Sequence, residues 1–189
     1  MQTNFIFRKR ATSNASTQKG MSVVSVLLGL AITAAVAAVI YNQYSDSTRK
    51  ARVEQAQAEI VTMVASAQKL YGNTNLYGVV TTATAVTSIV PARLRIAGTN
   101  TAQNVYNGAI EFAPATITSP NDSLVLTYGN VRREDCQDLI LGSDQLMRRM
   151  AVGGTAVKAA DGAIDVPALA TACDANAFSN INFTFGRGQ

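Results

Sequence analysis

Cys136 and Cys173 are the only cysteines in a 189-residue chain that contains no histidine, and those two facts bound the chemistry. Without imidazole there is no Ser-His-Asp or Cys-His nucleophile and no His-containing zinc site, and two thiols cannot make a four-thiolate site. The pair has no Cys-x-x-Cys spacing, which disfavours a redox couple. It reads either as two buried free thiols or as one disulfide, and export from the cell, argued below, favours the disulfide with a structural role. Glu134, Asp135 and Asp138 cluster at the start of a predicted helix, where carboxylates suit the helix dipole better than they suit a metal. Arg132-Arg133 and Arg148-Arg149 flank that helix and are expected on a solvated face. No Gly-x-x-x-x-Gly-Lys loop occurs, no Gly-x-Gly-x-x-Gly follows a strand, and the tyrosines are not interleaved with basic residues. The expectation is a protein without catalytic residues, metal or cofactor, whose function lies in shape and assembly.

Charged residues are only 15% of the chain and hydrophobic ones 48%, a balance that leaves part of the sequence away from water. Residues 1–20 hold Arg8, Lys9, Arg10 and Lys19 and no acid. From Met21 to Tyr41 there follow 21 uncharged residues, enough at about 1.5 Å per residue to match a hydrocarbon core of about 30 Å. The basic flank predicts a cytoplasmic start and an exported remainder. An ordinary secretory signal could be cut at Ala35-Val36-Ala37, leaving a soluble secreted binding domain, but the apolar run continues past that point. Gly29, Ala31, Ala34, Ala35, Ala37 and Ala38 suit close helix-on-helix packing.

After Tyr41 the pattern turns amphipathic. Val53, Ala56, Ile60, Met63, Ala67 and Leu70 recur at spacings of three and four, one apolar seam on a helix whose other side, with Asp46, Glu54, Glu59 and Lys69, is expected to be wet. No proline precedes Pro91, so one helix from Met21 to about Tyr71 is predicted. Residues 73–104 read as a long loop with a short helix at 92–96. Strands are predicted at 109–113, 124–128 and 181–185, with helices at 132–150 and from Asp165-Val166-Pro167, where Asp165 is the N-cap. Strands and helices that do not alternate give an α+β class with an antiparallel sheet, whose apolar face the seam would cover. The domain boundaries are 1–20 for a leader, 21–45 for the membrane half of the helix, 46–73 for its amphipathic half, and 74–189 for a globular head.

The junction Lys19-Gly20-Met21, a basic leader followed at once by the apolar run, resembles the cleavage site of type IV prepilins. The 20-residue leader, the methionine after it and the segment Pro167-Ala168-Leu169-Ala170-Thr171-Ala172-Cys173 are most similar to the type IVb class. The resemblance implies a prepilin peptidase that cuts after Gly20 and methylates the Met21 amine. It further implies storage as a single-pass inner-membrane protein, an assembly machinery there, and a homo-oligomeric extracellular pilus used in adhesion, aggregation or mating contact. A disulfide that closes the C-terminal region belongs to the same pattern. Most members of that family place a glutamate at the fifth mature position, and here that position is Ser25; a minor pilin or a type II secretion pseudopilin is the alternative within the family. The net charge of +4 comes from the four basic residues of 1–20. Without them basic and acidic side chains balance, so no nucleic-acid partner is expected.

Overall fold

The computed structural model describes residues 23–73 and 76–186. The chain divides into two compact units, Met1–Tyr44 and Ser45–Gln189. A long helix, α1 (Val23–Ala67), contributes to both. In the first unit it is the apolar stretch, an 18-residue window of mean hydropathy 1.8 with none of its residues buried. Thr33 turns its hydroxyl back to the carbonyls of Gly29 and Leu30, both at 3.0 Å, so the polar group inside the apolar run is satisfied within the helix.

In the second unit α1 covers one face of a five-stranded antiparallel sheet. The strands are β1 (Ile110–Ala115), β2 (Ser123–Arg132), β3 (Arg149–Val152), β4 (Thr155–Lys158) and β5 (Phe178–Gly186), in the order β1-β2-β5-β3-β4. The strand predicted at 181–185 is thus the middle one. Strict alternation puts Ile110, Tyr128, Ile181 and Val152 in one cross-strand row and Phe112, Leu126, Phe183 and Met150 in the next. All eight are buried and belong to a single core with the α1 seam. Beyond the Tyr128 row β2 bulges at Tyr128/Val131. There Gly108 lies against the Gly129 carbonyl so closely that a Cβ would overlap it.

Two expectations are corrected. The segment 73–104 is not one loop. It holds a 3₁₀ turn at Tyr77–Val79, the helix α2 (Thr82–Ser88) and a second 3₁₀ turn at Ala92–Leu94. Thr81 caps α2 by exchanging side-chain and backbone hydrogen bonds with Thr84, a threonine version of the capping box. The helix predicted over 132–150 ends early: α3 (Arg133–Ser143) is followed by a 3₁₀ turn at Asp144–Leu146 and then by β3. Met147 and Met150 still reach the core, Met150 through the ladder with β5 and Met147 at the end of the 3₁₀ turn. Gly153 and Gly154 are the tip of the β3–β4 hairpin, at φ 56° and 90°, a left-handed conformation that glycine enters without strain. The last helix, α4 (Val166–Asp174), starts as predicted with Asp165 accepting from the Ala168 N–H at 3.0 Å.

Both outer edges of the sheet are partly closed. On β1 the Thr82 hydroxyl lies 3.1 Å from both the N–H and the C=O of Phe112, and on β4 the Val157 carbonyl accepts from the Asp165 N–H at 2.9 Å.

Candidate functional site

Three features organise the second unit: the α1 seam, the ion pairs that fasten α1 to α3, and the stapled C-terminal region. Val53, Ala56, Ile60, Met63 and Ala67 are buried, joined by Val64. Leu70, predicted in the same seam, is 48% exposed. The helix there switches to a π turn over Gln68–Gly72, whose wider winding rotates the last residues off the α-helical phase.

Glu59 is the larger surprise. Expected on the wet side, it is fully buried. Tyr128 Oη donates to its Oε2 at 2.7 Å, Gln55 Nε2 donates to Oε1 at 3.2 Å, and Arg93 Nη2 lies 4.0 Å away. A buried carboxylate with such partners is costly to strip and fixes the register of helix on sheet. Burial, reinforced by Glu59, holds the Tyr128 hydroxyl well above the usual phenol range, so it remains a donor. The signal lay in the spacing: position 59 is three residues after Ala56 and one before Ile60, inside the seam's arc.

Seven to ten residues before Glu59, α1 meets the start of α3. Arg49 pairs with Asp138 at 3.1 Å and donates to the Glu134 carbonyl. Arg52 reaches Glu134 at 3.3 Å and Asp135 at 3.2 Å. The acidic cluster therefore serves the helix dipole and two guanidinium groups together. Asp135 is wholly buried, and its oxygens lack an aligned hydrogen bond although Arg52 is adjacent. Burial pushes its carboxyl above the ordinary value, with Arg52 opposing the shift. The i, i+3 spacing of Arg49 and Arg52 was legible, but their partners, more than eighty residues away, were not.

Cys136 on α3 and Cys173 on α4 form a disulfide with Cα atoms 5.7 Å apart. The bridge encloses the β3–β4 hairpin, and two ion pairs lie inside the closed region. Arg148, expected on a solvated face, is instead 7% exposed and forks onto Asp161, with Nε to Oδ1 at 2.8 Å. That contact holds the Asp161 carboxyl below its ordinary range. Lys158 bonds the Asp144 carboxylate and carbonyl at 2.6 and 2.7 Å. Arg132 and Arg133 stay at the surface, near Glu134 and Asp174. These contacts lock geometry and bring no nucleophile beside a base.

Gly20 and Met21 lie outside the described residues, as does the side chain of Ser25.

A family model described as PilS N terminal matches residues 50–186. Among solved structures the chain is similar to TcpA, a type IV pilin from Vibrio cholerae El Tor, with a TM-score of 0.53 and 12% identity over 70% of this chain and 98% of that one. It is also similar to the type IVb pilin from Salmonella typhi, with a TM-score of 0.53 and 16% identity over 74% and 99%. No curated protein matches the sequence. At those identities the likeness speaks for the fold, while the family match covers well over half of the chain and includes the second half of α1, the sheet and both cysteines. The chain therefore belongs to the PilS N-terminal family and has the fold of a type IVb pilin.

Proposed function

We propose that this pilin is the structural subunit of a type IVb surface filament, stored in the inner membrane through the apolar half of α1 and then packed into a helical homo-oligomer outside the cell. The carrying observation is the contrast along α1: the seam from Val53 to Ala67 is buried within its own chain, while the 18-residue apolar window before it has no buried residue. Apolar surface of that extent is stable only against lipid or against other copies of the helix, and a membrane-stored filament subunit uses both in turn. On this reading a prepilin peptidase cuts after Gly20 and methylates the Met21 amine, and adhesion, aggregation or mating contact follows from display of the head. Ser25 supplies a hydroxyl where a glutamate is usual, which spares the about 2.5–3.5 kcal/mol cost of a carboxylate at membrane depth. That residue is what favours a minor or tip subunit as the second reading.

Mass spectrometry of the exported protein tests the processing. The expected N-terminus is methylated Met21, and Gly20→Val is expected to block maturation and filaments; a chain beginning at Ala38 would overturn the proposal. Immunogold electron microscopy separates the readings, with label along the filament for a main subunit and at its end for a minor one.

A further inference from the structure

The outer face of the sheet carries a feature that filament packing does not explain. Along β5, Phe178, Asn180 and Asn182 occupy alternate positions, so the three side chains stand on one face about 6–7 Å apart. They line an open cleft of about 500 Å³, with Thr127 of β2 beside Asn182 and the side-chain-free Gly153-Gly154 tip on its far wall. None of the residues lining it is charged. Phe178 is 55% exposed.

The two amides are oriented by the protein. The Asn130 backbone N–H can only donate, and it donates to Asn180 Oδ1 at 3.1 Å; Thr127 Oγ1 donates to Asn182 Oδ1 at 3.0 Å. The carbonyl ends are engaged, both residues line the cleft, and no hydrogen bond from either amide NH₂ group occurs among the described residues. Backbone pairing is largely taken along this strand, because β5 has β2 beside it on one side and β3 beside Ile181–Thr184 on the other, so side chains are its main offer.

We infer that the Phe178–Asn180–Asn182 face is a binding site for a neutral oligosaccharide. Preset amide donors match the hydroxyl and ring oxygens of a hexose or N-acetylhexosamine, and an exposed aromatic ring meets the apolar C–H face of a sugar. The residues lining the cleft are themselves uncharged, with Arg132 at its end as the cross-strand neighbour of Phe178, and the volume falls in the range of small-molecule sites. A site of this kind serves contact only on a displayed subunit, so it rests on the filament reading above.

The test uses the full chain purified in detergent and an array of neutral galactose, mannose and N-acetylhexosamine oligosaccharides beside sialylated and sulfated ones. Binding to neutral glycans is expected, and Asn180→Asp with Asn182→Asp should reduce it about tenfold or more. Each carboxylate keeps the oxygen that Asn130 and Thr127 bond but removes the N–H donors. Phe178→Ala should reduce binding about three- to tenfold, and its cooperative unfolding checks that the head is intact. No binding, binding confined to the acidic glycans, or binding unchanged by the paired substitution would each overturn the site. Electron microscopy of cells making the doubly substituted chain keeps the two readings apart. Filaments without glycan binding leave the subunit proposal standing, whereas absence of filaments from the unsubstituted chain removes that proposal instead.

Discussion

The two halves of α1 differ in a way that hydrophobicity alone does not anticipate. The more apolar half is the exposed one, with Ile32 at 57%, whereas the half bearing Arg49, Arg52 and Glu59 buries Ile60 completely. Burial follows the presence of a partner. The second half finds the sheet, α3 and the loops within its own chain, and the first half meets no such surface among the described residues. The head is closed by internal contacts, whereas the side chains of the apolar segment are left exposed, and on the proposed reading lipid or other copies cover them.

That division is open to attack at several points, all measured on the full chain in detergent. The largest effect is expected from Cys136→Ala with Cys173→Ala. The bridge closes a separation of 37 residues, and its loss should cost the head about 4 kcal/mol in urea unfolding while leaving the micelle-embedded half helical. Loss of helicity in both halves together would break the comparison. Next is a matched pair. Ile60→Ala should cost about 3 kcal/mol through the cavity it leaves, and Ile32→Ala less than about 0.5 kcal/mol; equal costs would mean that the exposed half is packed within the subunit after all.

Asp122 sharpens the account of the head through pH. Burial alone would raise its carboxyl, but N–H groups of Ser119, Ile117 and Thr118 and the Ser123 hydroxyl hold it well below the usual carboxylate range. A depressed folded value means that its stabilisation is complete above the ordinary value of 3.8 and is lost as pH falls below it. Asp122→Asn should therefore cost about 2 kcal/mol at neutral pH and flatten the acid limb of stability; an unchanged limb would place acid sensitivity elsewhere. The smallest effect is expected at the hairpin tip, where Gly154→Ala at φ 90° should cost about 1 kcal/mol with the apolar half untouched.

Where a residue's neighbours in sequence decide its state, the sequence was readable. The alternation of Ile181, Phe183 and Phe185, the Asp165 cap before Pro167, and the seam from Val53 to Ala67 each follow a local rule. What escaped depends on distant partners. Met147 to Met150 suited a helix until β5 offered a ladder. The four residues of β4 are too few to show a period. Glu59 looked like surface charge because Tyr128, the residue that justifies burying it, is 69 positions away. The π turn that takes Leu70 out of the seam leaves no mark in a pattern of threes and fours. The orientation of Asn180 was hidden for the same reason, since it is set by the backbone of Asn130 across the β2 bulge.

Thr82 carries a consequence for any crowd of these molecules. A single hydroxyl occupies the N–H and the C=O of Phe112 at the middle of the outermost strand, and Pro114 lies two residues farther along the same strand. Copies held at the density of a fibre would otherwise present one another with open ladders, the arrangement from which cross-β aggregates grow. On the proposed filament reading, occupying the middle of that edge leaves side chains, rather than strand ladders, as the contacts between neighbouring heads, and such contacts can be undone one subunit at a time.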